Sequence, residues 1–219
     1  MILRFTFVFC LLFSSGAYAE PSLLMEGLFH SDEVDVQDGD DVWVLYKDGK
    51  KSYLKQDKVS VALKFDEVVD QEGQMSAKDV VLHNPMDDVV VVMAGLDFEV
   101  GVVEQGSFVD DCGAGFLDQG CLVSFDEDVS KFEMISKREA DMDMSLTPYV
   151  YDLSYKGVVL KDVYQILWVG DLDRDGKLDV LVDSQAHYNT VYRYDLYLSS
   201  QAKEGEALGL AAQLWAVGC

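Results

Sequence analysis

Residues 171–179 carry the side chains best suited to chemistry in this chain. The run reads Asp-Leu-Asp-Arg-Asp-Gly-Lys-Leu-Asp, with carboxylates at alternate positions followed by a glycine. Carboxylates crowded within a few Å favour either a bound cation or raised pKa values. Because a hard cation prefers oxygen ligands, the run predicts a calcium loop. The predicted ligands are the carboxylates of Asp171, Asp173, Asp175 and Asp179 and the backbone carbonyl oxygen of Lys177.

Calcium takes six to eight oxygen ligands, so this set needs water or a further group, and Asp183 is the nearest candidate. A helical calcium loop would have a glutamate at its twelfth position, where this chain has Val182. Gly176 stands where the backbone must bend sharply with a positive φ. The number of ligands disfavours magnesium, and the lack of nearby histidine or cysteine disfavours zinc. A plain Asp-Gly turn in an acidic protein is the alternative.

The stretch WVGDLDRDGKLDVLV, residues 168–182, resembles the calcium loop of FG-GAP and VCBS repeats, which are strand-loop-strand units of secreted and surface proteins. More loosely, residues 168–219 are similar to the C-terminal part of a group of uncharacterised secreted bacterial proteins. This second likeness rests on His-Tyr-Asn at 187–189, Leu-Tyr-Leu-Ser-Ser at 196–200 and the final Gly-Cys. The first resemblance implies calcium at Asp171, Asp173, Asp175, Lys177 and Asp179.

The buried-strand patterns on both sides of the loop indicate how it is positioned. Residues 164–169 and 178–182 are rich in β-branched and aromatic side chains, so a hairpin over residues 164–183 is predicted. Similar short runs recur along the chain, and the Asp-Gly pair at 48–49 is typical of a hairpin turn. The predicted fold is therefore mainly β, with antiparallel sheets in a sandwich or barrel and one or two short helices. The helical candidates are residues 136–144 and 201–215, and in the second a strand over 212–217 competes.

Three cysteines lie beyond the N-terminal segment. Cys112 and Cys121 can close a small glycine-rich loop, so they are predicted to form a disulfide in an oxidising compartment. Cys219 is left over; it either replaces one of these partners or stays free. The chain has no CxxC motif, so a metal-thiolate site is not expected.

The N-terminus indicates export. Arg4 precedes an apolar run over residues 5–13, and Ala-Tyr-Ala at 17–19 suits signal peptidase, so residues 1–19 are predicted to be a signal peptide. Residues 20–41 are rich in acid and turn formers and are predicted to be a solvated lead-in. Residues 42–219 then form a single β-rich domain. The predicted location is secreted or periplasmic, without membrane association after cleavage.

The whole chain of 219 residues has 40 acidic and 17 basic side chains, giving a formal net charge of −23. Such a field repels nucleic acid and attracts cations or basic proteins. The sequence thus favours a calcium-binding protein with a binding or structural role, whose other partner is a basic protein or an extracellular ligand. The alternative is a small calcium-stabilised secreted hydrolase with a site near Asp183 and His187, although turn formation is the favoured explanation for these two residues.

Overall fold

The structure is a computed structural model, and it describes residues 20–30, 32–84, 87–112, 117–139, 149–184 and 191–217. It confirms the predicted mainly β, largely antiparallel fold. The strands are β1 (Ser22–Leu24), β2 (Gly27–Phe29), β3 (Asp41–Asp48), β4 (Lys51–Lys64), β5 (Ala77–Leu82), β6 (Val89–Ala94), β7 (Gly101–Gln105), β8 (Ser107–Phe108), β9 (Cys121–Phe125), β10 (Asp128–Glu139), β11 (Tyr149–Tyr155), β12 (Val158–Val163), β13 (Gln165–Asp171), β14 (Asp179–Asp183), β15 (Val191–Leu198) and β16 (Gly209–Val217).

Nine of these strands close into a barrel. They follow the order β4, β3, β6, β1, β16, β15, β14, β13, β7, and β7 pairs again with β4 to complete the ring. Polar side chains cross this closing seam. The Trp168 indole donates a hydrogen bond to the Ser52 hydroxyl (3.0 Å), which donates to the side-chain oxygen of Gln105 (2.6 Å). The three residues lie on β13, β4 and β7, so the seam has side-chain bonds in addition to its backbone ladder.

A second sheet covers one side of the barrel. Its strand order is β12, β11, β10, β9, β8, and it packs on the outer face of β13, β14 and β15. Because side chains alternate along a strand, these three strands contribute to two cores. Their inward residues Trp168, Leu181 and Leu196 belong to the barrel core, whereas their outward residues Val180 and Tyr197 pack with the second sheet. Burial on both faces explains the apolar sequences of β13 and β14.

The prediction that residues 20–41 form a solvated lead-in needs correction. This segment contains β1, which is inserted between β6 and β16 of the barrel, and β2, which pairs with β5. Leu23 and Leu24 are each 1% exposed, and Val34 and Val36 are also buried in the barrel core. The acidic residues of the segment hid these apolar positions, which anchor it in the fold.

The predicted helices also need correction. Strand β10 runs through residues 136–139 of the first candidate, and residues 140–144 lie outside the described part of the chain. In the second candidate, β16 confirms the competing strand. The one helical element among the described residues is a single 3-10 turn, Ser199–Gln201. None of the helical structure in those residues has the length and apolar character needed to cross a membrane.

The predicted pairing of Cys112 with Cys121 is confirmed. The two residues form a disulfide with their Cα atoms 5.2 Å apart. Both are buried in the core beneath the second sheet, where Cys121 begins β9. The bridge therefore attaches the segment before β9 to that core. Cys219 lies outside the described residues.

Candidate metal centre

The β13–β14 hairpin positions the predicted calcium loop. Strand β13 ends at Asp171 and β14 begins at Asp179, with Gly170 paired to Asp179. The loop joins two strands, as predicted. Its first and last apolar residues hold it from both sides: Leu172 is buried in the barrel core and Leu178 in the core beneath the second sheet. The loop is therefore fixed where the two layers meet.

Three of the predicted ligands come together. The carboxylates of Asp171, Asp173 and Asp179 have oxygen atoms within 4.8 Å of one another, and Asp171 and Asp179 are buried. The Oδ2 atom of Asp173 is buried and has no hydrogen-bond partner. A buried acceptor without a partner is costly. Oxygen atoms crowded in this way match the donor set of a hard divalent cation.

Backbone N–H groups of the loop close around the same carboxylates. Asp171 accepts hydrogen bonds from the N–H groups of Asp175 (3.0 Å) and Gly176 (2.9 Å). Gly176 has φ of +80°, the conformation predicted from its position. Asp179 accepts from the N–H groups of Leu172 (2.7 Å) and Ser199 (2.8 Å). These bonds wind the loop tightly and attach it to the 3-10 turn.

The environment of the cluster opposes negative charge. Burial raises the pKa of Asp179 from its ordinary 3.8 to about 7, and the charge of Asp173 adds to that shift. Burial also raises the pKa of Asp171, with contributions from the charges of Asp173 and Asp175. A cation among these oxygens would reverse the effect because it favours the ionised carboxylates.

The carboxylate of Asp175 lies outside this group of three. Its Oδ1 accepts a hydrogen bond from the Lys177 N–H (2.9 Å), and its Oδ2 contacts the Lys177 Nζ (3.3 Å). Burial opposes ionisation of Asp175, but the nearby Ser199 hydroxyl and the hydrogen bonds from Lys177 outweigh it and lower the pKa. The roles predicted for Asp175 and for the Lys177 carbonyl oxygen remain predictions.

The structure does not bring Asp183 to the cluster. Asp179 and Asp183 are the two ends of β14, and an extended strand of that length separates them by about 13 Å. Asp183 pairs instead with Gln165 and Tyr194 at the opposite end of the barrel. This corrects the expectation that Asp183 completes the metal shell.

Arg174 is a contact of the loop that the sequence reasoning missed. Its guanidinium bonds the carboxylate of Glu99 (2.9 Å) and the carbonyl oxygen of Val100 (3.1 Å). These residues precede β7 at the closing seam of the barrel. The available signal was the long basic side chain of Arg174 in the middle of an acidic loop, which can reach an acidic partner beyond the loop.

Comparison with known proteins found no match: no family model, no curated protein and no solved structure matches this chain. The resemblance of the loop to FG-GAP and VCBS repeats therefore remains a prediction from residues 168–182.

Neither of the two histidines that the structure describes belongs to the candidate metal cluster of Asp171, Asp173 and Asp179. His187 lies outside the described residues, and His83 is exposed beyond β5. His30 follows β2, and its Nδ1 atom is hydrogen-bonded to Oδ2 of Asp66, a carboxylate only 2% exposed. Asp66 also accepts from the N–H groups of Val68 (2.9 Å) and Val69 (3.3 Å). The pair joins the end of β2 to the loop between β4 and β5.

This pair predicts a pH-dependent contribution to stability. The bond with Asp66 raises the pKa of His30 above 6.5, and the same bond lowers the pKa of Asp66 below 3.8. The His30 contribution is complete below pH 6.5 and is lost as the pH rises through the raised pKa. The Asp66 contribution is complete above pH 3.8 and is lost as the pH falls through the lowered pKa.

Wild type should therefore exceed His30→Gln in unfolding free energy most clearly between about pH 4 and 6.5. Urea denaturation of both proteins across a pH series measures the difference. Glutamine keeps a donor for Asp66 but carries no charge. A difference that stays constant from pH 4 to pH 9 would contradict the prediction.

Proposed function

We propose that this protein is a secreted or periplasmic calcium-binding β protein in which the ion stabilises the junction between the barrel and the second sheet. One observation carries the proposal. Asp173 has a buried oxygen without a hydrogen-bond partner, and its carboxylate belongs to the same cluster as those of Asp171 and Asp179. In an acidic surface turn, water would hydrate such an oxygen. A cation site instead needs an oxygen that no protein donor occupies.

The donor set favours calcium over other common ions. Asp171, Asp173 and Asp179 supply carboxylate oxygens, and Asp175 and the Lys177 carbonyl oxygen are the remaining predicted ligands. Calcium accepts this irregular set of oxygens together with water, while magnesium demands a near-octahedral shell and keeps several waters. Zinc prefers nitrogen and sulfur ligands. The predicted cofactor is therefore Ca²⁺.

The location of the loop supports a structural role for the ion. Leu172 and Leu178 anchor the loop in different cores, and Asp179 joins it to Ser199. An ion that neutralises the cluster would remove repulsion at the point where these parts meet. Binding to the folded form alone stabilises it by RT ln(1 + [L]/Kd).

The proposed export and the proposed type of partner are supported by two separate features. The Cys112–Cys121 disulfide supports an oxidising compartment, in agreement with the signal peptide predicted at residues 1–19. The net charge of −23 supports a cation or a basic protein as a partner and disfavours nucleic acid. An extracellular ligand is the other proposed partner.

The hydrolase alternative receives no comparable support. Asp183 lies at the opposite end of β14 from the metal cluster, and His187 is outside the described residues. The calcium-binding role therefore stands as the main proposal, with a binding or structural purpose.

Calorimetric titration of calcium into chelator-treated protein tests the proposal. We expect one ion per chain with a Kd at or below about 1 mM, and loss of that heat in Asp173→Asn. Asp88→Asn is the matched control, because Asp88 is an exposed loop residue whose positive φ of 56° suits asparagine. Absence of calcium heat in wild type, or equal binding by Asp173→Asn, would overturn the proposal.

A further inference from the structure

A pocket of about 310 Å³ lies inside the barrel, away from the metal cluster. Strands β1, β6, β13, β14 and β15 all contribute to its wall, and β6 is not a neighbour of β13 or β14 in the sheet. Residues from non-neighbouring strands can share a pocket only across the barrel interior. The lining residues are Leu23, Leu24, Met25, Glu26, Val89, Val90, Val91, Val92, Leu167, Leu181 and Tyr194.

The wall of this inner pocket is apolar except at two side chains. Glu26 stands at its exposed mouth, where one carboxylate oxygen accepts a hydrogen bond from the Leu82 N–H (2.8 Å). Tyr194 lies on β15 directly opposite Asp183 of β14. Directly opposed residues share one face of a sheet, so the charge of Asp183 lies beside Tyr194. Apolar walls with a few convergent polar groups are typical of small-molecule sites.

The polar groups of the inner pocket favour a positive charge. Glu26 is a carboxylate at the mouth, and no described residue lining the pocket is basic. Burial raises the pKa of Tyr194 to about 12, with a contribution from Asp183, so the phenol stays neutral and can accept a hydrogen bond. Its ring can also attract a cation through its face.

We propose that the inner pocket binds a small apolar molecule carrying a protonated amine. The hydrocarbon part contacts the valines of β6 and Leu181, and the ammonium group lies between Tyr194 and the carboxylate of Glu26. This binding does not depend on the proposed calcium site, because no residue lining the pocket is one of the predicted calcium ligands. Failure of either proposal would leave the other intact.

Calorimetry with octylamine and octanoic acid tests the inference, because the two probes share a similar chain length and differ in the sign of the head-group charge. We expect octylamine to bind at one molecule per chain and octanoic acid to give no binding heat. Glu26→Gln should weaken octylamine binding by about tenfold, because glutamine keeps the acceptor for Leu82 and loses only the charge.

A pair of valine substitutions controls for binding elsewhere. Val90→Phe places a ring in the inner pocket and should abolish octylamine binding, whereas Val129→Phe adds the same ring to an exposed position on β10 and should leave it unchanged. Circular dichroism establishes that both variants are folded. Equal binding of both probes, no binding of octylamine, or wild-type affinity in a folded Val90→Phe would overturn the inference.

Discussion

Saturating calcium is expected to raise the melting temperature of chelator-treated wild-type protein by about 5 to 10 °C. A hundredfold excess over Kd stabilises the folded form by about 2.7 kcal/mol. For a chain of this length, each kcal/mol corresponds to roughly 2 to 4 °C. An ion at the proposed site would supply this stabilisation, because it would neutralise carboxylates whose pKa values burial and mutual repulsion raise. Scanning calorimetry with and without calcium measures the shift.

Asp173→Asn should lose this calcium shift without losing stability in chelator. The charge of Asp173 raises the pKa values of Asp171 and Asp179, so its removal relieves repulsion in the metal-free protein. We expect the variant to melt at or above the wild-type temperature in chelator and to respond little to calcium. Asp88→Asn should retain the full shift. A calcium shift in Asp173→Asn equal to that of wild type would show that this carboxylate is not a ligand.

Asp179→Ala is expected to reduce the free energy of unfolding by about 3 kcal/mol or more, even in chelator. The carboxylate accepts hydrogen bonds from the N–H groups of Leu172 (2.7 Å), Asp173 (3.4 Å) and Ser199 (2.8 Å). Alanine would leave these donors unpaired in a buried region, at about 1 to 3 kcal/mol for each well-made bond. Urea denaturation in chelator measures the loss directly.

Asp179→Asn provides the matched comparison. Asparagine keeps one oxygen acceptor and carries no charge, so we expect a smaller loss than with alanine. This contrast separates two expected roles within the cluster: Asp173 raises the pKa values of its neighbours and is the proposed ion ligand, whereas Asp179 also holds the loop together. A chelated Asp179→Ala protein with wild-type stability would contradict the second role.

Local signals predicted the antiparallel elements of the fold. The Asp-Gly pair at 48–49 forms the β3–β4 hairpin, and residues 164–183 form β13 and β14 around the acidic loop. Closure of the barrel was not predictable in the same way. It depends on β4 pairing with β7 about 50 residues later, and on Trp168 bonding Ser52 across 116 residues. Such contacts depend on tertiary packing, which short-range patterns do not encode.

The errors along the chain have similar physical causes. The helical candidate at 201–215 overlaps most of β16, because pairing with β15 and burial of Leu214 outweigh a weak helical spacing. The acidic segment 20–41 was predicted to be solvated, yet two adjacent leucines place its first strand in the barrel. Charge density alone therefore did not distinguish an exposed tail from a strand with polar neighbours.

The spacing of the carboxylates in the sequence predicted the members of the candidate metal cluster, but it did not predict where the cluster ends, because it also suggested Asp183. Alternate carboxylates within a tight loop brought Asp171 and Asp173 together with Asp179. Asp183 failed as a candidate because it is only four residues away in sequence but lies along an extended strand, where each residue adds about 3.3 Å. Proximity in sequence implies proximity in space only where the backbone turns.

The strands at the ends of the two sheets have a consequence for how copies of this protein meet. Within the described residues, β2 ends the larger sheet with three residues, and β8 ends the smaller one with two. Short terminal strands offer few unpaired backbone groups to another chain, which limits polymerisation by strand addition. The strand at the remaining end, β12, has six residues and is the longest of the three terminal strands. It contains the charged residues Lys161 and Asp162. Ring closure by β4 and β7 adds to this effect, because these two strands pair with each other and offer no free edge where they meet.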